Sequence, residues 1–200
     1  MVAFDCDGVM FDSREANRAY YNRVLNHCHL PAMAPEQLAY AHMHTVDESL
    51  AYLIRDESTR KAAQDFRRQL GYQPFLKFMQ MEPGLVPLLE TLRPHFKTAV
   101  ATNRTDTMAR VLAENHIDHL FDLVVCALDV QYPKPHPEAL IKVVDHFSVS
   151  ADEVVYVGDS QVDEMAAKAA GVAFVAYRNP DLTADYHIRS LAEVAGLLGL

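Results

Sequence analysis

The sequence predicts an α/β protein: a parallel sheet covered by helices on both faces, interrupted after its first strand by a helical insertion. Short, nearly continuous apolar runs recur along the chain. Half-exposed strands would alternate, so these runs read as strands buried on both faces. Helical patterns separate the later runs, and strand–helix–strand repetition implies right-handed crossovers. The gap between the first run and the second is several times longer than a crossover requires and holds no strand candidate.

Taken in order, the first candidate strand is 2–5, ending at Asp5. Helical patterns follow near 13–28, 35–42, 47–54, 58–70 and 74–79, and Met81-Glu82-Pro83-Gly84 reads as the re-entry turn. The expected domains are therefore a core of residues 1–12 plus 82–200 and an α-helical insertion, 13–81. The other candidate strands are 98–101, 123–126, 154–157 and 173–176, with helices at 106–115, 137–147 and 162–170 between them. Ser160 to Asp163 fits a helix-start pattern, and Gly171 is the expected helix stop. Asp12 with Glu15 reads as a capping pair, and Thr102-Asn103 also fits as a cap for the helix after it.

Composition bounds the function. The chain has 200 residues, 50% hydrophobic and 22% charged, as expected of a folded globular protein. A formal net charge of −9 argues against nucleic acid as a partner, though it leaves room for a small anion in a locally positive pocket. No apolar stretch approaches the ~20 residues needed to span a membrane. The start lacks the features of a signal peptide, so a cytoplasmic location is expected. Cys6, Cys28 and Cys126 are too few for a disulfide framework. His27-Cys28-His29 is not expected to bind metal, because consecutive residues of a helix point in different directions.

In an open parallel sheet, ligands bind beyond the carboxyl ends of the strands. Directly after the candidate strands stand Asp5 and Asp7, then Thr102 and Asn103, then Lys134, then Asp159, Ser160 and Asp163. Arg178, Asn179 and Asp181 after the last are less telling. Several carboxylates suit one Mg²⁺, which prefers oxygen ligands. A lysine, a hydroxyl and an amide suit the oxygens of a phosphoryl group, whose transfer depends on positioning and charge neutralisation. An aspartate can be the covalent nucleophile, and a second carboxyl can move the proton.

The segments FDCDGVMFDS, ATN, PKP and GDSQVDEMAAKAAGV, in this order after successive strands, resemble the haloacid dehalogenase superfamily in its phosphatase branch. The tail ADYHIRSLAEVAGLL resembles the last strand and helix of the phosphoglycolate phosphatase-like group. The resemblance covers essentially the whole chain. It implies a Rossmann-like, three-layer α/β/α core with an inserted helical cap, a Mg²⁺ cofactor and a small phosphorylated metabolite as substrate, in a monomer or homodimer. It assigns Asp5 as nucleophile and metal ligand, and Asp7 as acid/base with its carbonyl on the metal. Thr102 and Asn103 are assigned to the phosphoryl group, and Lys134 to neutralising the nucleophile and phosphate. Asp159 becomes a metal ligand, and Asp163 orients the metal's waters or Lys134. Residues 8–12 would be the cap hinge.

The expected activity is a Mg²⁺-dependent phosphatase working through an aspartyl-phosphate. A mutase of the β-phosphoglucomutase type and a catalytically silent binding protein are the alternatives. Asp7 and Asp159 argue against a dehalogenase. In the insertion, His42 and His44 read first as packing residues and second as substrate contacts, and Arg14, Arg18 and Arg23 as a solvated helix face, with Arg14 near enough to the hinge to reach an anion. Only four residues precede Asp5, so the first strand is expected to be short and the stability reduced.

Overall fold

A computed structural model describes residues 1–200. In chain order the elements are β1 (Val2–Phe4), β2 (Phe11–Asp12), α1 (Arg14–His27), α2 (Pro35–Met43), α3 (Val46–Leu53), α4 (Glu57–Leu70), β3 (Gln80–Met81), α5 (Leu85–Leu92), β4 (Thr98–Ala101), α6 (Met108–Glu114), β5 (Leu123–Val125), α7 (Glu138–Phe147), β6 (Val155–Gly158), α8 (Gln161–Ala170), β7 (Ala173–Tyr177), β8 (Tyr186–Ile188) and α9 (Glu193–Leu197). Residues Gln73–Phe78 form a 3-10 turn rather than an α-helix. The chain divides into two compact units, Met1–Phe11 with Met81–Leu200, and Asp12–Gln80.

The first unit holds a six-stranded sheet in the order β5-β4-β1-β6-β7-β8, parallel at every pairing. From β1 the order grows outward through β4 and β5, then returns to the other side of β1 for β6, β7 and β8. The strand order therefore switches at β1, and the crevice beyond its carboxyl end is where such sheets bind ligands. Every residue of β1 and β4 is buried, which is why their sequences are continuous rather than alternating. One face packs Ala3, Ala99, Ala101, Tyr156, Phe174 and Ala176 against Leu140 and Val143 of α7 and Ala166 and Ala167 of α8. The alternate residues Val2, Phe4, Val100, Val157 and Val175, equally buried, point to the opposite face.

Helix α5 lies outside the helical patterns expected from sequence. Leu85, Leu88, Leu89 and Leu92 follow helical spacing and are buried, but Val86 and Pro87 blur the polar face, and Pro87 falls in the first turn where proline is tolerated. Helix α6 starts at Met108 with Thr107 as its N-cap, so Thr102 and Asn103 do not cap it. Asp12 and Glu15 do not form the expected capping pair either. Ser13 is the N-cap of α1, Asp12 Oδ1 accepts from Arg14 N–H at 3.2 Å, and Glu15 meets Arg18 at 3.5 Å.

The second unit carries α1 to α4 around its own core of Tyr20, Tyr21, Val24 and Leu25 from α1 with Ala41, Leu50, Ile54, Ala63 and Phe75. Two of its helices, α3 and α4, start on side-chain caps: Thr45 with Glu48, and Asp56, which accepts from Thr59 N–H at 2.8 Å. His44 stacks on Tyr40 at 3.8 Å, and His42 Nδ1 pairs with Asn17 Nδ2 at 3.1 Å. His27 stacks on Phe66 at 3.8 Å. No helix in the protein is long and apolar enough to cross a membrane.

Candidate active site

Asp5 is the first residue past β1, and its N–H still donates to Val157 O at 2.9 Å. Phe4 pairs in register with Val100 and Val157, so Asp5 emerges level with the ends of both neighbouring strands. Lys134 arrives from the segment between β5 and α7, across a cis Lys134-Pro135 peptide. Asn103 clamps its backbone from both sides: Lys134 N–H donates to Asn103 Oδ1 and Asn103 Nδ2 donates to Lys134 O, each at 2.9 Å. The side chain is 1% exposed.

The ammonium sits among four oxygens: Asp163 Oδ1 at 2.6 Å, Tyr156 Oη at 2.7 Å, Asp5 Oδ1 at 2.8 Å and Ala101 O at 3.1 Å. It has three protons. They are satisfied if it donates to both carboxylates and to Tyr156, whose own proton goes to Ala101 O at 3.0 Å. Burial opposes the charge on Lys134, but Asp163 and Asp5 outweigh it and raise the lysine further. Tyr156 was not among the sequence candidates. Its ring belongs to the core, and only its hydroxyl reaches the site.

Asp163 is fully buried in the first turn of α8. Its Oδ2 accepts from Ser160 N–H at 3.1 Å and from Ser160 Oγ, while Oδ1 faces Lys134 and lies 2.8 Å from Tyr156 Oη. The capping role and the site role therefore coexist in one carboxylate. Burial alone would raise its pKa; Lys134, then the Ser160 and Tyr156 hydrogen bonds, hold it below the ordinary value. Gly158 makes the approach possible, because a Cβ there would stand 2.5 Å from Asp163 Cβ.

Asp5, Asp159 and Asp163 bring carboxylate oxygens within 4.8 Å of one another. Burial pushes the Asp5 carboxyl up to about 7, with Asp163 and Asp7 adding to the rise and Lys134 opposing it. Asp159 is pushed well above the carboxylate range, again by burial first, then by Asp163 and Asp5. One lysine therefore does not neutralise the cluster, and a hard divalent cation fits both the oxygen donors and the missing charge. Gly8, at φ +84°, gives Asp159 its place: a Cβ on Gly8 would fall 2.1 Å from Asp159 Oδ2. Asn179 Nδ2 donates to Asp159 O at 2.8 Å, so a residue that looked uninformative in sequence fixes this loop.

Asp7 lies beside Gly8 in the loop after β1, and its Oδ1 accepts from Arg104 Nη2 at 2.7 Å, with side chains only 12% and 6% exposed. Arg104 was missed in the sequence. Its signal was adjacency: it directly follows Thr102-Asn103, and its N–H donates to Thr102 Oγ1 at 3.2 Å. Thr102 N–H donates to Val125 O at 3.0 Å, which continues the β4–β5 ladder into the site. Cys6, between the two aspartates, is buried, and burial pushes its thiol well up. It packs and does not react.

A parallel α/β sheet with aspartates, a buried lysine and a Thr-Asn pair converging at its switch point defines a hydrolase of one particular class. The family model described as haloacid dehalogenase-like hydrolase matches residues 2–177, and the chain belongs to that family. A phosphoglycolate phosphatase from Yersinia pestis is 30% identical over 181 residues, spanning 85% of this chain and 77% of that protein. A solved haloacid dehalogenase-superfamily hydrolase of subfamily IA, variant 1, from Geobacter sulfurreducens is 39% identical with a TM-score of 0.81, covering 99% of this chain and 95% of that one. A β-phosphoglucomutase from Clostridium difficile shares the fold at a TM-score of 0.85 and 17% identity, covering 96% and 92% of the two chains.

Proposed function

We propose that this hydrolase is a Mg²⁺-dependent phosphatase that releases phosphate from a small phosphorylated metabolite through an aspartyl-phosphate at Asp5. The buried Asp5–Lys134 pair at 2.8 Å carries the reading, because it holds a carboxylate and its neutralising cation at the switch point of the sheet. The phosphatase relatives support it.

Asp5 and Asp159, with the backbone carbonyl of Asp7, would hold the Mg²⁺. When bound, the ion supplies positive charge to the phosphoryl oxygens and keeps Asp5 ionised. Asp163 already accepts hydrogen bonds on both oxygens, so its part is to orient Lys134. Lys134 binds Asp5 Oδ1 and leaves Oδ2 to attack phosphorus. As the new O–P bond forms, the bond from phosphorus to the leaving oxygen breaks, and Asp7 gives that oxygen its proton. Thr102 hydrogen-bonds the phosphoryl group, while Asn103 fixes the backbone of Lys134. Asp7, now a carboxylate, takes a proton from water. The water attacks the acyl phosphate, and inorganic phosphate leaves with Asp5 regenerated.

The test is a phosphate-release screen over many phosphorylated metabolites with Mg²⁺, using Asp5→Asn as the blank. Loss of release by at least about 10³-fold in Asp5→Asn is expected for a covalent nucleophile. Undiminished release in that variant would refute the reading. Interconversion of glucose 1- and 6-phosphates without phosphate release would replace it with a mutase.

A further inference from the structure

Asp7 has two jobs in the proposed cycle, first as acid and then as base, and both require its carboxyl to be held in one orientation. From the part-buried hydrogen bond between Arg104 and Asp7, we infer that Arg104 is the positioning residue for this acid/base. The inference rests on the phosphatase reading and adds a residue to it.

Arg104 is fixed from several directions. Its N–H donates to Thr102 Oγ1 at 3.2 Å, and its carbonyl accepts from Ala127 N–H at 2.9 Å. Its guanidinium Nη1 donates to Thr107 Oγ1 at 3.1 Å, and Nη2 to Asp7 Oδ1 at 2.7 Å. The guanidinium therefore belongs to the frame built by β4 and the start of α6, and Asp7 is fastened to that frame across 97 residues of sequence. The loop under Asp7 is also tied down, since Gly8 N–H donates to Phe11 O at 2.8 Å. A carboxylate oxygen that accepts from arginine is a poor site for a proton. The proton that Asp7 moves is carried on its other oxygen, and Arg104 sets the direction in which that oxygen faces. The same backbone turn thus delivers the phosphoryl contact at Thr102 and the hold on the acid/base.

Leaving-group chemistry separates this role from simple structure and from phosphate binding. An alkyl phosphate expels an alkoxide that must be protonated as it leaves, whereas p-nitrophenolate leaves without a proton. The quantity to compare is kcat/KM, which reports the steps up to departure of the alcohol. With Mg²⁺ present, Arg104→Gln is expected to lower kcat/KM about 10²-fold for a primary alkyl phosphate, the lower range of general acid catalysis, and no more than about 3-fold for p-nitrophenyl phosphate. Arg104→Lys restores part of the alkyl activity. Thr107→Val, which removes one hold on the guanidinium, shows the same bias at smaller size and carries the test if Arg104→Gln does not fold. Equal losses on the two esters, in whichever variants fold, overturn the proposal and leave Arg104 as a structural or phosphate-binding residue. Wild-type protein that releases phosphate from neither ester overturns the phosphatase reading itself, and the role of Arg104 with it.

Discussion

The Lys134 ammonium donates to Asp5 Oδ1 at 2.8 Å across 129 residues of sequence. It compensates Asp163 at the same time, so one cation holds two buried carboxylates. Removing one side of a buried ion pair leaves uncompensated charge and costs about 3–5 kcal/mol. Lys134→Met is therefore expected to lose that much unfolding free energy by urea titration, as well as its phosphate release. A urea midpoint within error of wild type would show that the ammonium is not the compensating charge.

Tyr156→Phe tests the hydroxyl under the same lysine. The hydroxyl faces Lys134 at 2.7 Å and Ala101 O at 3.0 Å. Lys134 Nζ already lies 3.1 Å from Ala101 O and can take over that acceptor. The variant should lose only about 1–2 kcal/mol, the cost of one hydrogen bond with its partner rescued. A loss as large as that of Lys134→Met would mean that the rescue does not occur.

The sheet and the carboxylates at its crevice were legible because they obey local rules. Strands buried on both faces are continuous in apolar residues, and polar residues directly past them mark the ligand crevice, which is how Asp5, Lys134 and Asp159 were found. The partners of these residues were not legible. Tyr156 is indistinguishable from a core aromatic until its hydroxyl is traced to Lys134. Arg104 reads as an ordinary surface arginine until the turn after β4 folds it onto Asp7. Asp12 and Glu15 had the right spacing to cap α1, but the turn placed Ser13 at the cap. Helix α5 was hidden because Val86 and Pro87 remove the polar stripe that announces an amphipathic helix. Long-range pairing is the cause for Tyr156 and Arg104: no short-range pattern encodes which side chains meet across a sheet.

The pKa shifts give stability and metal binding opposite dependences on pH. Asp5 rises from 3.8 to about 7 on folding, so between these values the folded protein binds more protons than the unfolded chain. Its contribution is fully present below 3.8 and is lost as pH rises through about 7, so metal-free stability falls across that window. Asp163, held below 3.8, acts the other way, and its contribution disappears on acidification. A metal ion needs Asp5 and Asp159 deprotonated, and both are raised by burial, so Mg²⁺ binding should release protons near pH 6. The rise in Tm caused by Mg²⁺ is therefore expected to grow from pH 5.5 to pH 8. A Mg²⁺ effect that does not vary across this range would mean that Asp5 is not a ligand.

Gly8 allows a sharper test of the proposed metal site, because a matched control exists in the same unit. Gly8 and Gly84 both occupy left-handed backbone, at φ +84° and +89°. A Cβ added at Gly84 meets nothing within 4 Å, whereas one at Gly8 would stand 2.1 Å from Asp159 Oδ2 and 2.5 Å from its Cγ. Gly84→Ala therefore carries only the backbone penalty, about 1 kcal/mol. Gly8→Ala carries the same penalty and must also drive the Asp159 carboxylate out of its place beside Asp5. Both variants should show lowered Tm without metal, but only Gly8→Ala should lose most of the stabilisation by Mg²⁺ and at least about 10-fold in metal affinity, the loss seen when ligand orientation is disturbed. Equal Mg²⁺ stabilisation in the two variants would mean that Asp159 does not hold the ion from this position.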